Sequence, residues 1–243
     1  MAEEKVNYEK ILKRWWGYDS FRPLQKEIID SVCSGKDTLA ILPTGGGKSL
    51  TYQVPAMVLD GVVLVVSPLI ALMTDQVENL KKRGIRAVVL HAALSHNKIF
   101  DILEQAQYGA YKLIYVSPER LQSSVFLTRL QYINVSLIAV DEAHCISEWG
   151  YDFRPSYLKI SDLRNSYPNI PVLALTASAT PKVQKDICDK LKMSNYCHFQ
   201  TGIERDNLYY VVRKTKDKDA ELYKILLAVN GSSIVYTRTR QQA

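Results

Sequence analysis

The sequence predicts an α/β fold: a mostly parallel sheet with helices on both faces. Three observations predict it. Short aliphatic runs recur along the chain, they are continuous rather than alternating, and amphipathic stretches separate them. Continuous apolar runs suit strands covered on both faces, and strand–helix alternation suits parallel pairing.

Taken in order, a helix is expected over Arg22–Cys33, where Leu24, Ile28 and Val32 share a face, Pro23 suits the first turn and Gly35 the end. A strand over Thr38–Leu42 follows, then a glycine-rich loop and a helical stretch. The next strand is Val62–Val66. A helix over Leu69–Leu80 carries Leu69, Leu72, Met73, Val77 and Leu80 on one stripe and closes on Lys81-Lys82-Arg83-Gly84. Further strands are expected at Ala87–Leu90, Lys112–Val116, Leu137–Val140 and Val172–Thr176. Thr180-Pro181 opens another helix, with Val183, Ile187 and Leu191 inward. Residues Thr201–Asp219 read as a polar linker with one short strand, Leu208–Val212. A helix over Ala220–Val229 and a strand over Ser233–Tyr236 end the chain. This organisation gives a first domain over residues 1–201. Residues 202–243 read as a linker and the truncated start of a second domain, too short to close a core of its own.

The 243 residues are 47% hydrophobic and 23% charged, which excludes a disordered chain, a collagen and a coiled-coil rod. The net charge of +6 is compatible with an anionic partner and speaks to association, not to fold. Cys33, Cys145, Cys188 and Cys197 show no CxxC spacing and no matching His pair, so they read as reduced thiols with no zinc site. The N-terminus lacks the apolar core of a signal peptide, and the run Val62–Val66 is too short to span a bilayer. The expectation is an intracellular protein, cytoplasmic or nuclear, with no membrane partner.

In parallel sheets ligands bind beyond the carboxyl ends of the strands. The loop Leu42-Pro43-Thr44-Gly45-Gly46-Gly47-Lys48-Ser49 lies at such an end and precedes a helical stretch. Glycines let its backbone N–H groups turn toward phosphate oxygens, Lys48 can reach the β- and γ-phosphates, and the Ser49 hydroxyl can bind Mg²⁺. Leu42 stands where the usual pattern has its first Gly. Asp141-Glu142-Ala143-His144 directly follows another strand. Alone, an acidic pair at a strand end reads as a solvated turn. With a phosphate loop upstream in the same sheet it reads as a Mg²⁺-holding Asp141, acting partly through water, and a water-orienting Glu142. His144 reads as a structural hydrogen-bonding group rather than a metal ligand.

Thr44–Ser49 (TGGGKS) with Asp141–His144 (DEAH) resembles the superfamily 2 helicases. Four further segments resemble the RecQ DNA helicases: Trp16-Gly17-Tyr18 with Phe21-Arg22-Pro23 and Gln25; Val66–Met73 with Asp75-Gln76-Val77; Ile146–Pro155; and Ala174–Thr180. Departures are Leu24 for a common Gly, Trp16 for Phe and Ser178 for Thr. The resemblance implies a RecA-like P-loop NTPase domain followed by the start of a second RecA-like domain. It implies that Tyr18 stacks on adenine with Arg22 and Gln25 beside it, and that ATP is substrate and Mg²⁺ cofactor. It places Ser67 and Ser117–Arg120 along single-stranded nucleic acid. It makes Trp149, Phe153 and Arg154 the loop that senses DNA, and Thr176 and Ser178 part of the element that links nucleotide state to movement. Gly202–Leu208 resembles the linker, and Ser233–Arg240 the first strand and motif of the second domain. The implied activity is ATP-dependent 3′-to-5′ translocation and unwinding of DNA, acting on single strands and duplex junctions, with this stretch binding ATP but not forming a complete motor. A nucleotide-gated nucleic-acid-binding module and an RNA remodeller stand as alternatives.

Overall fold

The aliphatic runs between residues 37 and 176 become strands because both of their faces are covered. The computed structural model describes residues 6–202 and 208–239, which fall into two units, 6–202 and 208–239. The first begins with a helix the aliphatic pattern does not announce, α1 (Tyr8–Trp16). It is capped by the Asn7 side chain, which accepts from Lys10 N at 2.9 Å, and it ends at Gly17 with φ 77°. Next come α2 (Gln25–Cys33), β1 (Asp37–Ile41), α3 (Leu50–Ala56), β2 (Val62–Val66), α4 (Ile70–Lys82), β3 (Ala87–Leu90), α5 (His96–Gln107) and β4 (Leu113–Val116). They are followed by α6 (Ser124–Leu130), β5 (Val135–Val140), α7 (Ile160–Ser166), β6 (Val172–Thr176), α8 (Pro181–Lys190) and β7 (Tyr196–Gln200).

The helix expected over Arg22–Cys33 starts three residues later. Leu24 adopts φ 64°, so residues 22–24 form a turn rather than a first helical turn. The strand β7 has no aliphatic run to announce it. Its sequence is Tyr-Cys-His-Phe-Gln, and it pairs with β1 at the edge of the sheet, with Thr38 opposite Cys197.

The seven strands pair in parallel in the order β3-β4-β2-β5-β6-β1-β7. Alternate residues of each central strand feed two cores. Val63 and Val65 of β2, Leu137 and Ala139 of β5 and Leu173 and Leu175 of β6 face the layer of α1–α4. Leu64 and Val66, Ile138 and Val140, and Val172 and Ala174 face the layer of α5–α8. This two-sided burial is why the runs are continuous rather than alternating. It also aligns the carboxyl ends of β1, β6 and β5 side by side, with β6 in the middle.

In the second unit, α9 (Lys218–Ala228) is capped by Asp217, whose carboxylate accepts from Ala220 N at 3.0 Å. The strands expected at Leu208–Val212 and Ser233–Tyr236 do not form. A strand needs a partner ladder, and none pairs with them among the described residues; Val212 is 93% and Tyr236 90% exposed. Most of the expected linker motif, residues 203–207, lies outside the described residues, as does Arg240. Among the described residues no helix is long and apolar enough to cross a membrane.

Candidate functional site

The phosphate loop leaves β1 as a backbone cradle. Gly45 and Gly47 both sit at φ 76°, a conformation that costs L-residues with a Cβ about 1–2 kcal/mol. Gly46 N donates to Pro43 O at 2.9 Å and closes the turn, and α3 begins directly after Ser49. The Lys48 ammonium donates to Leu42 O at 3.3 Å, spanning the mouth of the loop. Thr44 is exposed.

Beside the loop lies a cavity of about 580 Å³ lined on one side by Tyr18, Arg22 and Gln25, on another by Gly45, Gly47, Lys48 and Ser49, and by Gln76 and Asn79 of α4 with Arg83 just after it. Tyr18 is 54% exposed, a free aromatic face on this cavity. Gln25 lines this cavity beside Arg22 and also makes contacts within the protein. It is buried and both ends of its amide are taken. Its Oε1 accepts from Arg22 N at 2.9 Å and its Nε2 donates to Gly47 O at 3.0 Å and Gly46 O at 3.3 Å. Arg22 Nη1 donates to Gly45 O. The pair Arg22–Gln25 therefore braces the phosphate loop from behind, and a Cβ on Gly47 would fall 2.4 Å from Gln25 Nε2.

The acidic pair lies at the end of β5. Asp141 N donates to Val66 O at 2.9 Å, and one carboxylate oxygen accepts from Glu142 N at 3.0 Å. Burial, reinforced by the neighbouring Glu142 charge, pushes Asp141 up to about 6; the Lys48 charge and the Ser67 hydroxyl pull the other way. Glu142 sits at φ 48° and is held below the ordinary carboxylate range, first by its hydrogen bond from His144, with the Lys48 charge acting in the same direction. The Lys48 charge favours ionisation of both carboxyls, in keeping with the neighbouring ends of β1, β6 and β5. Ser67 is buried and donates to Asp141 Oδ2 at 3.4 Å, which ties the strand end of β2 to the acidic pair. The Tyr157 hydroxyl donates to Asp141 O at 2.9 Å, a support that the motif pattern does not single out.

His144 connects this pair to β6. Its Nδ1 lies 3.3 Å from the Glu142 carboxylate and 2.9 Å from Thr176 Oγ1. Thr176 Oγ1 donates to Ser178 O at 3.2 Å, while Thr176 O accepts from Leu42 N at 3.0 Å at the entrance to the phosphate loop. One residue at the end of β6 therefore touches both neighbours. The His144 ring stacks on Tyr151 at 4.7 Å, and the Ser178 hydroxyl lies 3.4 Å from the Tyr151 hydroxyl. Arg154 is tied to Asp152 at 3.1 Å and to Pro68 O at 3.4 Å. Trp149 is 63% exposed with Lys182 of α8 over its ring at 3.1 Å, and Phe153 has Lys190 at 5.7 Å. Donor atoms of His144, Cys145 and Asp152 lie within 4.8 Å of one another. Asp152 is engaged by Arg154, and burial pushes the Cys145 thiol up to about 12, so the thiol stays protonated and donates to Asp152 at 3.6 Å within a hydrogen-bonded knot.

The donor set fits a magnesium-bound nucleotide: a backbone cradle, a lysine, a hydroxyl at Ser49 and a buried carboxyl whose burial a cation would compensate. Residues 22–187 match the family model of the DEAD/DEAH box helicases. The chain is 44% identical over 239 residues to the probable ATP-dependent DNA helicase RecS of Bacillus subtilis, covering 97% of this chain and 48% of that protein. It is also 44% identical over 238 residues to the ATP-dependent DNA helicase RecQ of the same organism, covering 97% of this chain and 40% of that protein. The chain thus spans less than half the length of these curated relatives. Among solved structures it resembles the DUF1998 helicase MrfA with a TM-score of 0.70 at 19% identity, over 99% of this chain and 40% of that one, a likeness of fold.

Proposed function

The chain belongs to the DEAD/DEAH box helicase family, and from that premise we propose that it is the ATP-binding part of a RecQ-type DNA helicase. One observation carries the reading: Thr176 joins the two loops, its carbonyl accepting from Leu42 N and its hydroxyl meeting the His144 that holds Glu142. The reaction is ATP + H₂O to ADP + phosphate. The backbone of residues 44–48 binds the phosphates, Lys48 neutralises charge on the transferring group, and Tyr18 offers its ring to the base. Ser49 and Asp141 would hold Mg²⁺, which when bound would supply charge neutralisation at the phosphates. Glu142, ionised throughout the neutral range, orients the attacking water. His144 and Thr176 carry its position to the 176–180 loop and to the aromatic loop with Trp149, Phe153 and Arg154, where single-stranded DNA is sensed. Unwinding, 3′-to-5′ polarity and preference for strands and duplex junctions rest on the likeness to RecQ and are proposed for a chain of the relatives' length.

The test is nucleotide binding and phosphate release with and without single-stranded DNA, and with RNA as competitor. Lys48→Ala should abolish binding of Mg·ATP with little change in melting, because Lys48 makes one long hydrogen bond to the fold. Unchanged affinity in that variant would overturn the assignment of the loop.

A further inference from the structure

The aromatic loop is not free. Lys190 donates to Ile146 O at 3.2 Å and pairs with Asp186 at 3.5 Å and Glu148 at 3.7 Å, so its cation is fully engaged. Lys182 is not: among the described residues no carboxylate lies within 4.0 Å of it, and its ammonium rests on the face of Trp149 at 3.1 Å. It also stands in the first turn of α8, two positions after the Thr180 cap, where a cation opposes the helix dipole. Helix stability does not account for a lysine there, and the aromatic face does.

We infer that Lys182 gates the aromatic loop: it occupies one ring face of the exposed Trp149 in the absence of nucleic acid, and single-stranded DNA docks by stacking a base on that face while the displaced ammonium takes a backbone phosphate. The inference rests on the proposed DNA-directed function. An ammonium at 3.1 Å and a stacked base cannot share one ring face. An exposed cation–π contact corresponds to roughly two- to fivefold in an equilibrium, and base stacking to roughly five- to 150-fold, so the strand displaces the lysine. The released charge then lies beside the strand that expelled it. Because α8 starts from the Thr180 cap, four residues after the Thr176 that meets His144, the gate is joined through residues 177–180 to the strand end beside the acidic pair.

The experiment measures the affinity of the full chain for fluorescein-labelled oligothymidylate across a salt series. Lys182→Met keeps the aliphatic stem and should reduce the steepness of log K against log salt by about 0.7, one phosphate contact on a single strand. Lys185→Met, an equal charge loss at an exposed position of the same helix, should leave the slope as in the parent. Without DNA, Lys182→Met should raise acrylamide quenching of Trp149, read as the difference from the matching Trp149→Phe protein. An unchanged slope, an equal drop in both lysine variants, or unchanged quenching overturns the gate. A parent chain that does not bind oligothymidylate overturns the DNA-directed reading itself, and the gate with it.

Discussion

Replacing Asp141 by Asn should make the ligand-free protein more stable at neutral pH while removing its response to Mg·ATP. Burial and the Glu142 charge raise this carboxyl from its ordinary 3.8 to about 6. At about 1.36 kcal/mol per pH unit, the displacement is worth about 3 kcal/mol. A carboxyl whose folded-state pKa lies above the unfolded one favours folding in its protonated form. That contribution is fully present below about pH 4 and is lost as pH rises through about 6. Asparagine has no proton to lose, so the variant should gain on the parent across the window from about pH 4 to 6 and hold a constant lead above about pH 7. Its amide still accepts from Glu142 N but matches the Ser67 hydroxyl less well, which brings the expected lead to about 1–3 kcal/mol. For a chain of this size that is about 3–10 °C in Tm. The assay is thermal melting by circular dichroism in EDTA at pH 5 and pH 8, repeated at pH 8 with saturating Mg·ATP. The parent should gain Tm on adding the nucleotide, by the ordinary mass-action relation, and the variant should not. A lead that is the same at both pH values, or a variant less stable at pH 8, refutes the reasoning that burial strains this carboxylate.

Gly47→Ala places a Cβ 2.4 Å from Gln25 Nε2 at a φ of +76°, so it should lower ATP affinity at least tenfold in calorimetric titration and reduce Tm by a few degrees. Arg164→Met leaves Asp37 buried, with Val172 N, 2.8 Å away, as a remaining donor in place of the 2.6 Å ion pair; it should cost about 3 kcal/mol in urea unfolding with ATP affinity per folded molecule unchanged. A loss under about 1 kcal/mol would show that Asp37 is reached by water.

The parts of the fold that could be read from the sequence are those where burial leaves no choice of residue. β2 is Val-Val-Leu-Val-Val because helices cover both of its faces, and such a run announces itself. β7 sits at the sheet edge with alternate side chains exposed, so Tyr, Cys, His and Gln are tolerated and no pattern survives. α1 is amphipathic but short, and only its Asn7 cap and Gly17 stop mark it. The same distinction holds in the site. Lys48 and Asp141 carry their chemistry in their identity and spacing. Gln25 does not: its type suits an adenine edge, and only the fold shows both amide ends spent on backbone groups of residues 22, 46 and 47. Ser67 likewise turns inward because β2 and β5 pair, bringing the ends of both strands within reach of one hydroxyl.

The same pairing logic supplies a route by which the proposed nucleotide and nucleic-acid elements would communicate. In the order β5-β6-β1, the strand between the phosphate loop and the acidic pair carries neither, yet its last residue, Thr176, must lie between them. Its backbone carbonyl holds the first residue of the phosphate loop, and its hydroxyl meets the histidine that holds Glu142. A backbone bond to one neighbour and a side-chain bond to the other cannot both stay fixed if the two loops move apart or together around a nucleotide. Residues 177–180 would take up the slack, and they lead directly into α8 and to the lysines that hold Trp149 and Phe153. Under the proposed function, a displacement at the phosphates would reach the aromatic loop through one strand end and one helix.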